Sequence, residues 1–565
     1  MKLVIAEFLR TLKERDELDR LLPDLLIEMG YVPLARPQTG NRQFGVDLAV
    51  RGKNPQFGGE ELLLAVIKKG DIGRQEWDGG DQSVRQSINE ILDVYLRSHV
   101  EPQDEEKPVR IVVVSNGELK QVVQASWCGF ISDVKPRAVV EFWGLDVLAG
   151  LIEKHLLDEH VFRDEDRKQL RRALALSGDR EYDRRDLHRL FQRTLGLSAS
   201  GGLEEPGKKG KALLKALRIL TLSAHAYASW ALAEGDARQG LKGMERALIW
   251  SWHRLLLSDD PDQKEALSEA FGVLWSGYLV ACKNYFERVQ PHCYTEDSLL
   301  AYAGDSSELS IIAFELVGTL AIIGLSQLLV KSDDEAEFEA RAGQARIVAA
   351  ALTALIENNG ICSTPCFDRH SQDITLGFML LLLSGQIDGA RSWLKRLVRN
   401  VDYAYQAKKY VPVCTDSLDD LPGESGWVNG HASERLMQTS WTLATLAGWA
   451  AILGESDCYQ ALAQHSRESY PEVCVQLWHP DELVYKHLYF HQAQFSCGAS
   501  EAPIKLPSQM ETWREHMAAV VASGQGEIVG ASPSVRAGAA VWDLIACRHF
   551  STPVFPAFWY RFVNA

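Results

Sequence analysis

The sequence predicts an α+β protein, with an N-terminal α/β domain followed by a large all-α helical array. Three observations predict it. Between about 30 and 145, short β-branched apolar runs alternate with helical stretches. From 211 onward helical periodicity runs almost to the C-terminus. The 565 residues are 46% hydrophobic and 24% charged, a globular composition with enough apolar material for sizeable cores.

The elements follow in order. Residues 1–29 read as helix, with Pro23 splitting it or opening a second helix at its first turn, and Gly30 ends it. YVPLAR and VDLAVR read as strands, the second followed by the turn-rich GKNPQFGG. ELLLAVIKK is a continuous apolar run, as a central strand covered on both faces requires. VRQSINEILDVYLRSHV is helical, with Val84, Ile88, Ile91, Leu92 and Tyr95 on one side. VRIVVVS is a buried strand, LKQVVQASWCGF a short helix and AVVEFWG another strand. Asp146 is placed to cap a closing helix.

Domain boundaries are expected at 1–162 for the α/β domain, 163–210 for a charged helical connector and linker, and 211–565 for the helical region. LSASGGLEEPGKKGK has the composition of a linker. No fixed-period repeat is visible, so the helical region reads as pairs of irregular length. The 15 tryptophans fall mostly in helical stretches and read as packing.

Net charge is -16, so any nucleic-acid contact needs a local basic patch. Ten cysteines without framework spacing, and a charged N-terminus unlike a secretory signal, point to a reduced cytoplasmic protein. Ile311–Val330 is long enough to span a bilayer, yet it contains Glu315, Ser326 and Gln327 between acidic flanks, so it reads as a buried helix and no membrane partner is expected. No Walker loop, dinucleotide fingerprint or nucleophile elbow is present.

Phosphodiester hydrolysis needs a carboxylate-held metal ion and a cation near the scissile phosphate. Two neighbouring strand ends supply such groups: Asp47 in Phe44-Gly45-Val46-Asp47-Leu48, and Lys68 and Lys69 closing Leu64-Ala65-Val66-Ile67-Lys68-Lys69-Gly70. A charge ending a buried run is costly without a partner or a cleft.

On these residues, roughly 15–160 resembles the PD-(D/E)XK restriction-endonuclease-like superfamily, in particular its Mrr-like branch. Gly45-Val46-Asp47 matches the Gly-x-Asp motif, and Val66-Ile67-Lys68 falls on the second motif. The resemblance implies Asp47 as a ligand of Mg²⁺ (or Mn²⁺), Lys68 as the catalytic cation with Lys69 in the alternative register, and nucleic acid as substrate, DNA favoured over RNA. It further implies a restriction-type or antiviral defence effector whose helical region senses a trigger, oligomerises or binds a partner protein.

One position departs from the pattern. The residue two before the lysine, acidic or Gln in the family, is Val66, or Ile67 in the other register. Glu60 lies eight residues from Lys68, about 26 Å along a strand, too far to share an ion. A helix can supply the missing acid instead: Glu90 is the expected second metal ligand, with Glu17, Asp24 and Glu28 as further candidates. Arg74 and Arg85, with Arg97, are expected to form a basic cleft for the nucleic-acid backbone. The alternative is a catalytically degenerate scaffold that binds nucleic acid or a partner enzyme. Two weaker patterns, Cys362-x3-Cys366-x3-His370 (with Cys293 or His292) as a zinc set and His487-x3-His491 as a metal pair, read better as a loop and a packed helix.

Overall fold

The computed structural model describes residues 9, 18–35, 44–54, 58–80, 82–156, 164–179, 182–204, 209–258, 264–302, 306–407, 412–415, 417 and 436–564. It is α+β: a five-stranded mixed sheet with helices, followed by a long helical region. The strands β1 (Val32–Ala35), β2 (Leu48–Lys53), β3 (Glu60–Lys68), β4 (Val109–Ser115) and β5 (Val139–Trp143) lie in sheet order β1-β2-β3-β4-β5. β1, β2 and β3 form an antiparallel meander, whereas β4 and β5 run parallel to β3. Parallel neighbours need crossovers, and helices fill both: Arg74–Asp78 and Val84–Glu90 before β4, Gln121–Val134 before β5.

β3 is apolar from Leu62 to Ile67 because it is covered on both sides. Leu62, Leu64 and Val66 pack with Trp77, Val84, Ile88, Ile91, Val113 and Trp127 in one core. Leu63, Ala65 and Ile67, pointing the other way, are equally buried. The first described helix, Asp19–Glu28, runs through Pro23 rather than starting there.

The chain divides into two compact units, one of 1–195 with 210–243, the other of 196–209 with 244–565, so the division falls within helix Ala237–Leu256 rather than at 162. In the first unit, helices Asp164–Ala175 and Arg185–Leu195 are more than a connector: Leu170, Ala173, Leu187, Leu190 and Phe191 are all buried. Ion pairs Arg218–Asp24 (2.7 Å) and Lys215–Glu28 (2.8 Å) fasten helix Gly210–Ala233 to Asp19–Glu28.

In the second unit, the described part of the expected linker is a packed turn. Leu197 is fully buried, Ser198 N–H donates to Gly202 O (2.8 Å), and Gly201 O lies 2.8 Å from His253 Nε2. Composition reads as a linker here because small residues permit close packing as readily as mobility: a Cβ on Gly201 would meet the Phe490 ring at 2.7 Å. Helix Ser306–Leu328 is the one described helix long and apolar enough to cross a membrane, and 83% of its apolar window is buried against the fold, mainly by helices Glu335–Asn358 and Ser371–Leu383. The helical expectation fails at two small sheets, β6 (Thr439–Ser440) with β7 (Cys474–Val475) and β8 (Leu477–Pro480) with β9 (Gly498–Glu501). There Val475, Trp478 and Pro480 favour extended chain. His487 and His491 lie in a single irregular turn, not an α-helix, with ring centroids 4.8 Å apart.

None of the cysteines is in a disulfide. Two buried acids of the second unit, Asp368 and Asp543, are satisfied by hydroxyls and backbone. Asp368 accepts from Trp441 N (2.6 Å) and from Thr442 N (2.9 Å) and Oγ1 (2.6 Å), at the start of helix Thr442–Leu453. Asp543 accepts from Ser532 Oγ (2.6 Å) and Tyr489 OH (2.7 Å), and burial pushes its carboxyl up to about 6 from 3.8. A raised folded-state value means stability is fully present below pH 4 and is lost as pH rises through 6, by about 3 kcal/mol. Asp543→Asn is therefore expected to become progressively more stable than the wild type between pH 4 and 7 in urea denaturation; a constant difference would contradict this.

Candidate active site at the C-terminal end of β3

The antiparallel register sets Leu48 opposite Ala65, so the chain entering β2 arrives beside the last residues of β3. It enters through a tight turn, Phe44 (φ 48°) and Gly45 (φ 81°), which lies against helix Val84–Glu90: a Cβ on Gly45 would overlap the Ser87 carbonyl. Phe44 packs against His99 with the rings tilted at 45° and their centroids 4.7 Å apart. The turn buries Val46 and delivers Asp47 to the end of the ladder.

Along β3, peptide groups alternate in direction. Leu62 N–H donates to Pro108 O on the β4 side, while Ala65 O accepts from Asp47 N–H (2.9 Å) on the β2 side. Ile67 therefore presents both its N–H and its carbonyl toward β2, past the point where β2 begins. Asp47 Oδ2 takes up that N–H at 2.7 Å. The carboxylate thus completes the ladder and lies one residue from Lys68.

Lys68 follows Val66 on the helix-covered face, pairs in register with Ser115, and is half-buried; among the described residues it makes no ion pair. Lys69, next along, is exposed. Mg²⁺ takes oxygen ligands, often only one or two carboxylates from the protein. The Asp47 carboxylate and the Ile67 carbonyl direction fit that donor chemistry. Val66 cannot contribute: it is fully buried in the core.

Glu90 is half-buried on the Val84–Glu90 helix. It lies three residues after Ser87, on the stripe that meets Gly45, about 4.5 Å farther along the axis. Asp24 and Glu28, the other candidate acids, are taken by Arg218 and Lys215, and Glu17 lies outside the described residues. Of the three arginines expected to form a basic cleft, one is ion-paired among the described residues. Arg85 is paired with Asp78 (2.9 Å) and sits over the Phe130 ring, 5.5 Å from its centre. Arg74 is exposed and followed by Glu76, whose carboxylate accepts from Gly73 N–H (3.0 Å). Arg97 is exposed.

At the opposite end of β3 is a cluster that the sequence reading passed over. Glu61 is buried and bonded to Arg110, to Tyr31 OH (2.6 Å) and to Asn54 Nδ2 (2.6 Å); Arg110 also donates to Tyr31 OH (2.9 Å). Burial pushes the Tyr31 hydroxyl up, keeping it protonated. The signal was legible: opposite charges inside two adjacent apolar strands, ELLLAVIKK and VRIVVVS, must meet or pay full desolvation. This cluster clamps the sheet and offers no open acid. Nor does the Cys362–His370 segment: Cys362 and His370 are buried, His370 stacks on Phe314 (4.6 Å), and burial holds its imidazole near 3. Among the described residues no group of three or more His, Cys, Asp or Glu is arranged to hold a metal ion.

Gly45→Ala is expected to destabilise the first unit by on the order of 3 kcal/mol, combining strain at positive φ with the Ser87 overlap. Chemical denaturation followed by tryptophan fluorescence measures it, and a loss under about 0.5 kcal/mol, the range of a neutral surface change, would show that the turn is not tight.

No protein-family model, no curated protein and no solved structure matches this chain, so its own residues and their geometry carry the functional reading.

Proposed function

We propose that the first unit is a metal-dependent nuclease of the PD-(D/E)XK restriction-endonuclease-like type, acting on DNA in preference to RNA. The observation that carries this reading is the bond from Ile67 N–H to Asp47 Oδ2, which holds an acid one residue from Lys68 at a strand end. The sheet order supports it: a helix, an antiparallel meander carrying both residues, a helical crossover and a parallel fourth strand. Asp47 would hold Mg²⁺ or Mn²⁺, with the Ile67 carbonyl and Glu90 as further oxygen donors. The ion would supply charge stabilisation at the scissile phosphate. Lys68 would neutralise phosphate charge and orient the attacking water at this site. Lys69 and Arg74 would meet the backbone outside it. The helical unit would serve as sensor, oligomerisation surface or partner site, as in a cytoplasmic defence effector.

A second reading has its own observation. Val66 is fully buried where the family carries an acid or Gln, which favours a degenerate module that binds nucleic acid or a partner enzyme without cutting.

Incubation of the full chain with plasmid DNA or RNA and Mg²⁺ or Mn²⁺ separates the two. The nuclease reading expects chelator-sensitive cleavage, reduced at least about a hundredfold by Asp47→Ala or Lys68→Ala and less by Glu90→Ala. Cleavage that survives both of the first two substitutions would place the chemistry elsewhere. Binding without cleavage would favour the second reading.

A further inference from the structure

The turn after Lys68 is held by more than the ladder. Gly70 (φ 73°) bends the chain two residues beyond the lysine, after which it again runs parallel to the segment following β4, with Ile72 opposite Leu119. Gly70 N–H donates to Asn116 Oδ1 (2.8 Å), and its carbonyl accepts from Ser115 Oγ (2.5 Å). The other end of the Asn116 amide, Nδ2, donates to Leu9 O (2.9 Å) in the N-terminal segment. Asn116 is only 4% exposed and Leu9 is fully buried. Beyond it the backbones continue as a zipper: Glu118 N–H to Asp71 Oδ1 (3.0 Å), Ile72 N–H to Glu118 O (2.9 Å), Lys120 N–H to Ile72 O (3.1 Å). Gly117 permits it, since a Cβ there would overlap the Gly70 backbone.

We propose that Asn116 is a positioning residue for Lys68. It acts through the Gly70 turn, fixing where β3 ends and so where the ammonium stands relative to Asp47. A buried amide that bridges two backbone segments leaves a donor and an acceptor unsatisfied when it is removed, and the turn can relieve that only by moving. Asn116 touches neither substrate nor metal in this account. Its effect on the reaction rests on the nuclease reading, whereas its hold on Lys68 does not.

Two readouts on the full chain test the two halves separately. The first is acetylation of Lys68 by an activated acetyl ester, followed by mass spectrometry, with Lys53 at the far end of β2 as internal control. Asn116→Ala and the shorter, polar Asn116→Ser should raise Lys68 labelling at least about threefold, since both lose the Gly70 bond, while Lys53 is unchanged. Asn116→Asp, which keeps an acceptor for Gly70 N–H but loses the donor to Leu9 O, should give labelling between the wild-type and Ala rates. Unchanged Lys68 labelling in a folded Ala or Ser variant overturns the proposal, whether or not the protein cuts DNA. The second readout is cleavage. The Ala and Ser variants should lose kcat by about tenfold or more with KM little changed, as misplacement of a reacting group does, and the loss should vanish in a Lys68→Ala background. A loss that persists additively in that background assigns Asn116 a role independent of Lys68 and overturns the functional half. Absence of cleavage by the wild type removes the nuclease reading and leaves the labelling result to decide the positional one.

Discussion

The register between β2 and β3 is the constraint on which the rest depends. A strand side chain changes face with every one-residue slip, so Leu48 opposite Ala65 fixes where Asp47 falls. Two features lock that register. At one end the Glu61–Arg110 pair, with Tyr31 and Asn54, ties the hairpin to β4 and to the chain before β1. At the other, the Gly45 turn presses on Ser87, and Asp47 closes the ladder through Ile67 N–H. Asp47 is thus a structural terminator of the pair and the candidate ligand at once, which is economical: the bond that orders the carboxylate also aims it.

Charge is distributed unevenly along the sheet. At the N-terminal end of β3, acids and bases meet in buried or half-buried pairs, among them Arg51–Asp104 (3.2 Å) and Lys107–Asp104 (2.7 Å). At the C-terminal end, Lys68 stands half-buried with no ion-pair partner among the described residues. Burying part of a cation is unfavourable unless something compensates. In the proposed reading a bound phosphate would supply the compensation that a side chain supplies at the other end.

Much of the first unit was legible in the sequence. The order of strands and helices follows from β-branched runs alternating with 3.6-residue periodicity, and the uninterrupted apolar run of β3 foretold its double coverage. Asp47 and Lys68 stand out as candidates because each is a charge bounding an apolar run. What escaped depended on tertiary partners. Arg85 looked available on its helix until Asp78 and Phe130 claimed it. Asp24 and Glu28 looked like spare acids until Arg218 and Lys215, nearly two hundred residues away, paired with them. Residues 197–204 read as linker because Gly and Ser signal a tight turn and a mobile one alike. The division near 243 sits inside a continuous helix, where composition gives no break.

The central claim is that Asp47 holds a divalent cation beside Lys68. Mn²⁺ binding to the full chain, followed by electron paramagnetic resonance, tests it without requiring turnover. The account predicts a bound ion in the wild type that Asp47→Ala removes and Lys68→Ala retains. Mn²⁺ bound equally well by the Asp47→Ala variant would contradict it.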